Sequence, residues 1–187
     1  LDLVGLFHDE VQRIRSAAND AGLALDTVFV VTTHVHEAKD TMGMWGESVA
    51  KSGIDPAYMQ RLIDESIAAL SEARAAQVPA SMRVGRGDAS PWVRDSRQPI
   101  VLDPTVTTLD FVDEAGASRA TWVVWGNHPE ALGSDNTLLT SDYPHWLREE
   151  LEARLPGTVA IFTPGLLGGL TTTIGLSVCP DDAGVET

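Results

Sequence analysis

Thr27-Val28-Phe29-Val30-Val31-Thr32-Thr33, followed at once by His34-Val35-His36, is the stretch on which the reading of this 187-residue chain turns. Its β-branched and aromatic residues run without polar alternation and are too continuous for a surface hairpin. The pattern predicts a central strand buried on both faces. Residues two apart in an extended chain share a face, so His34 and His36 are expected to project their imidazoles to one side of the strand's exit. Such exits are where parallel sheets commonly expose ligand sites.

Working outward, residues 1–7 read as the end of a core strand, and residues 8–21 as an amphipathic helix with Val11, Ile14, Ala17, Ala18 and Ala21 on its apolar side. Gly22 supplies its stop. Residues 37–52 have no period and read as a loop. Asp55 caps and Pro56 opens a helix to about residue 76. Its stripe of Tyr58, Leu62, Ile63, Ile67 and Leu70 is expected to pack on the sheet. Residues 80–87 predict a strand, and 88–104 are rich in turn formers. Residues 105–112 and 119–125 form a hairpin about Asp113-Glu114-Ala115-Gly116. A loop over 127–140, a helix from Ser141-Asp142 to Arg154 and a strand over 158–162 follow, and Gly165, Gly168 and Gly169 leave the sheet. The fold class predicted is α/β, a layered domain with a largely buried mixed β-sheet flanked by helices. No repeat or linker divides the chain, so 1–187 is read as one domain.

Composition narrows the function. Twenty-seven acids against 13 bases give a formal charge of −14. Phosphate-backbone contacts need a basic surface, so nucleic acid is not an expected partner, and docking on anionic lipid through basic patches is disfavoured. The single cysteine, Cys179, rules out an internal disulfide and an all-cysteine metal site within this chain. No transmembrane run or signal peptide is visible, and Leu1 suggests that a precursor extends at both ends. Secretion or a periplasmic location stays open.

A ring nitrogen of His34 can bind zinc, and a neighbouring imidazole can take or give a proton near neutral pH. His-x-His alone is equally a pattern of surface or hydrogen-bonded histidines. His128 adds weight, because it too follows an apolar strand, Thr121–Trp125. Glu130 reads as an oxygen ligand, a general base or a solvated loop carboxylate, and Asp2 as an acceptor for a site histidine or a strand-end cap. Met42, Met44 and Trp45 line a channel or pack at its rim. Trp122 and Trp125, an odd number of residues apart, fall on opposite faces of their strand. His8 and His145 have no clustering partners, and the glycines lack nucleotide-binding spacing.

Residues 2–46, 94–103 and 121–169 resemble the amino-terminal catalytic domain of the neutral and alkaline non-lysosomal ceramidases. The matching pieces are Asp2-Leu3-Val4-Gly5, Thr33-His34-Val35-His36 with Asp40-Thr41-Met42-Gly43, Arg97-Gln98-Pro99, Asn127-His128-Pro129 with Asn136-Thr137 and Ser141-Asp142-Tyr143, and Phe162-Thr163-Pro164-Gly165 through Gly168. The resemblance implies that His34 and His128 are zinc ligands, that His36 assists proton transfer and that Arg97 orients substrate or a product carboxylate. The family's remaining ligands, a glutamate and a tyrosine, lie later than this chain reaches. The domain is therefore expected to be incomplete here, its missing catalytic segment lying in the same precursor or in another chain. Glu37, Ala38 and Lys39 depart from the family's serine, glycine and proline, which favours a polar substrate over a long-chain ceramide.

The expected function is a zinc-dependent hydrolase that cleaves an amide, with a small-molecule amide or ceramide-like lipid as substrate and conversion of ceramide to sphingosine and fatty acid as its most specific form. The alternatives are a non-catalytic metal- or carbohydrate-binding module and a decayed hydrolase domain kept for structure.

Overall fold

A computed structural model of the chain describes residues 1–95 and 97–171; Cys179 lies outside the described residues. The elements are α1 (His8–Asp20), α2 (Pro56–Ala75), β1 (Ala80–Asp88), β2 (Arg94–Asp95), β3 (Thr105–Asp113), β4 (Ser118–Trp125), α3 (Asp142–Arg154), β5 (Val159–Pro164) and β6 (Leu170–Thr171), with a 3-10 turn at Ser90–Trp92. Each helix lies within about a residue of its predicted bounds. The main sheet is mixed, as expected, in the order β1-β3-β4-β5, and β2 pairs with β6 in a second, two-stranded sheet.

The β3–β4 hairpin closes because Asp113 Oδ1 accepts the backbone N–H groups of Ala115 and Ala117, both at 2.9 Å, while Gly116 takes a φ of +85°. That positive φ is costly for a residue with a Cβ. β5 runs parallel to β4, Ala120 opposite Val159 through Trp125 opposite Pro164. A parallel neighbour needs a crossover, and α3 supplies it by packing on β5. On the α3 side, Thr121, Val123, Ala160 and Phe162 are buried, and Tyr143 meets the rings of Trp125 and Phe162 edge-on. On the other face Trp122 lies 6.0 Å from the ring of Phe29 and donates from Nε1 to Thr163 Oγ1. The two tryptophans therefore occupy opposite faces, as their spacing predicts.

Two expectations are corrected. Residues 1–7 and 27–33 are not strands: Thr33 and His34 donate backbone N–H groups to the carbonyls of Leu1 and Leu3, both at 2.9 Å, without a regular ladder. Phe29 is 69% exposed, so the run is not buried on both faces. The helix α2, capped by Asp55 as expected, packs against α1 rather than the sheet. Leu62 and Ile63 from α2 form a core with Ile14 of α1 and Leu3, joined by Leu6, Ala17, Val30, Tyr58 and Ile67. Burial is uneven across the sheet, every residue of β1 being exposed along its edge. A strand reading Arg83-Val84-Gly85-Arg86-Gly87 has little apolar surface to bury, and strand periodicity does not distinguish an edge from a centre. Among the described residues no helix is long and apolar enough to cross a membrane.

Candidate metal centre

His34 sits at φ +65°, in the left-handed region that side chains with a Cβ rarely enter. The turn corrects the expectation of an extended His34-Val35-His36. Thr33 and Val35 are buried, while the backbone N–H of His34 is held by Leu3 O and its ring Nδ1 by Val4 O at 2.7 Å. Non-glycine strain of this kind persists where the surroundings over-determine it. Beside it, Thr41 donates to Gly5 O at 2.6 Å, and a Cβ on Gly5 would lie 2.6 Å from Met42 Sδ. A glycine there lets the loop after the histidines lie directly on residues 3–5.

His128 comes off the end of β4. Asn127 before it is fully buried; its Nδ2 donates to Trp92 O, and its own carbonyl accepts the Tyr143 hydroxyl at 2.6 Å. The His128 ring donates from Nδ1 to Leu170 O in β6 at 2.5 Å. The two histidine segments are joined directly, His36 N donating to Pro129 O at 3.4 Å and Thr140 N to Glu37 O at 3.1 Å. Residues distant in sequence thus converge through backbone bonds as well as through the fold.

The ring centroids of His34 lie 5.0 Å from those of both His36 and His128, and the latter two lie 5.7 Å apart. One ligating atom from each falls within 4.8 Å of the others, so the three histidines form a group able to hold a metal ion. The donor chemistry fits. A carbonyl can only accept, so the Nδ1 atoms of His34 and His128 must carry their protons, leaving Nε2 with a free lone pair. A metal-binding imidazole held by a backbone acceptor has the same arrangement. His36 differs, its Nδ1 facing the carboxylate of Glu130 at 3.4 Å.

Burial lowers the proton affinity of His36, and His34 and His128 add to this; Glu130 and Asp142 oppose it without prevailing. Burial, with Asp142 and Glu130 nearby, raises the pKa of Glu37. Glu37 Oε2 is shielded from solvent and has no hydrogen-bond donor among the described residues. Tyr143, whose hydroxyl is occupied by Asn127 O, is held well above its usual pKa by burial and the neighbouring Asp142.

Arg97 stands on the segment after β2, donating its backbone N–H to Asp95 Oδ1, with its guanidinium so close to Gly169 that a Cβ there would lie 2.6 Å from Nε. Gly169 precedes the residue whose carbonyl holds His128, but no contact joins Arg97 to the three rings among the described residues. Asp2 takes another role than a histidine acceptor: it receives both Nη atoms of Arg148 at 2.8 and 2.7 Å and the hydroxyl of Ser141 at 2.7 Å. Trp45 and Met44 are exposed. Two features escaped the sequence reading. Asp142, read as a helix-start group, is buried at φ +50° and accepts Leu132 N through Oδ2. The Leu170 carbonyl has no side-chain signal that sequence could carry.

No family model matches the chain, and no curated protein matches it in sequence. Solved structures do match in fold. The neutral ceramidase from Pseudomonas aeruginosa superposes with a TM-score of 0.73 at 18% identity, over 96% of this chain and 31% of that one. A ceramidase complexed with C2 gives 0.75 at 19% identity, over 97% of this chain and 31% of the other. The chain spans about a third of the length of these structures, and across nearly all of its own length it has the fold of that portion of a neutral ceramidase, as the motifs led us to expect.

Proposed function

We propose that this chain carries one side of the catalytic centre of a zinc-dependent amidohydrolase, with ceramide N-deacylation as the most specific form of the reaction. The observation that supports it most is the shared state of His34 and His128, whose Nδ1 protons are committed to Val4 O and Leu170 O so that Nε2 is free on each ring. In this reading His34 and His128 hold the ion. A bound zinc ion supplies the Lewis acidity that polarises an amide carbonyl and acidifies water.

His36 is the proton carrier. It is the most exposed ring of the three and has a carboxylate, Glu130, behind it in place of a carbonyl. Lowered proton affinity keeps it neutral near pH 7, able to accept a proton during attack and return it to the departing amine. Arg97, with its planar donor fork, orients a substrate oxygen or the product carboxylate. The Tyr143 hydroxyl and the Asn127 side-chain nitrogen are engaged with backbone carbonyls and so hold the His128 segment in place.

The test is a panel of N-acyl sphingosines, shorter N-acyl amines and polar amides given to zinc-loaded full-length protein, in which the other side of the centre is present. Hydrolysis within the panel is expected, and His36→Ala should lower kcat by about 10²–10⁴-fold while leaving the bound metal in place. No amide hydrolysed by the metal-loaded full-length protein, or full turnover in His36→Ala, would contradict the assignment.

A further inference from the structure

The main sheet has two faces, and α3 lies on one of them. Directly paired residues of neighbouring strands turn their side chains to the same face. Val84, Leu109, Trp122 and Ile161 therefore form one row across the four strands on the face away from α3. Met82, Phe111, Ala120 and Val159 form the next. Neither row holds a charged side chain, and its one polar atom, the indole nitrogen of Trp122, is spent on Thr163. Met82, Val84, Val159 and Ile161 are nevertheless 54%, 58%, 60% and 41% exposed. A sheet face that meets water normally carries the polar half of an alternating pattern, whereas here apolar rows lie on both faces. An open apolar surface of this kind marks a contact.

The helices α1 and α2 pack on each other, and Phe29 reaches over the open face at one end, its ring 6.0 Å from that of Trp122. Between them runs an apolar groove of about 500 Å³, with Val31 and Thr32 on one wall and Trp122 and Thr163 on the other. Thr32 stands two residues before His34, so a layer filling the groove also reaches the segment that carries the first histidine.

We infer that this face seats an apolar layer of the polypeptide that carries the other side of the metal centre. Length supports that occupant: this chain spans 31% of each ceramidase structure it matches in fold, so most of their length lies outside the matched portion. A second copy of this chain is the poorer fit, because it would bring together two bodies each of formal charge −14. The inference rests on the reading of the histidines as one side of a centre, and it is tested without turnover.

Met82 is the probe. Full-length protein is treated with hydrogen peroxide, and mass spectrometry follows oxidation of Met82 against the same residue in urea-denatured protein, with the buried Met59 as the protected standard. Oxidation of Met82 should be slowed about tenfold or more, as burial of a thioether slows it. Protein grown with a photo-activatable diazirine analogue of methionine identifies what covers it: the peptide crosslinked at Met82 should come from outside residues 1–187. Oxidation of Met82 at the denatured rate, or crosslinks confined to residues 1–187 of the same or a second copy, would overturn the inference. Amide hydrolysis by a full-length protein with Met82 open overturns it while leaving the amidase reading intact. A covered Met82 in a protein that hydrolyses no amide supports it and sinks the amidase reading instead.

Discussion

At the residue scale, the histidines divide according to what holds their Nδ1 atoms. Backbone carbonyls fix two rings in a single tautomer, and a carboxylate stands behind the third. The sequence exposed the grouping of these residues, since each His segment follows an apolar run and the motif order resembles that of a known family. It did not expose the left-handed turn at His34, because nothing in Thr33-His34-Val35 marks a positive φ. The support beneath His128 is testable here. Tyr143→Phe removes the donor to the buried Asn127 carbonyl and should cost about 1–2 kcal/mol. Urea unfolding would read this, and an unchanged midpoint and slope would show that the hydroxyl contributes nothing to holding the strand exit.

At the scale of elements, helices and the hairpin were legible because their signals are local: Asp55 and Pro56 at the start of α2, and Asp113 with Gly116 between β3 and β4. Which faces meet was less legible. The stripe on α2 identified an apolar side but not its partner, and the partner is α1. The run at 27–33 has strand composition, yet a strand needs a neighbour to pair with, and the bonds it makes to residues 1–3 do not form a ladder. Asp2 shows how such a segment is fixed instead. Burial disfavours its charge, but the fork of Arg148 and the Ser141 hydroxyl prevail and hold its carboxyl below the usual range. A carboxylate with a depressed folded-state pKa contributes stability that is present above its ordinary value, about 3.9, and is lost as pH falls through the folded one. Asp2→Asn should therefore cost about 1–3 kcal/mol near neutrality, with the gap to the unaltered protein closing in acid. Thermal melts across that range check it, and a pH-independent gap would assign the loss to packing.

At the scale of the whole molecule, the chain has the ceramidase-like fold over 96% of its length while spanning 31% of the neutral ceramidase from Pseudomonas aeruginosa. The central claim is that His34 and His128 hold zinc, and metal content measured by mass spectrometry on protein dialysed against trace zinc tests it most directly. About one zinc per chain is expected in the unaltered protein, lost in His34→Ala and in His128→Ala while circular dichroism stays unchanged. Stoichiometric zinc retained after both histidines are replaced would contradict the account.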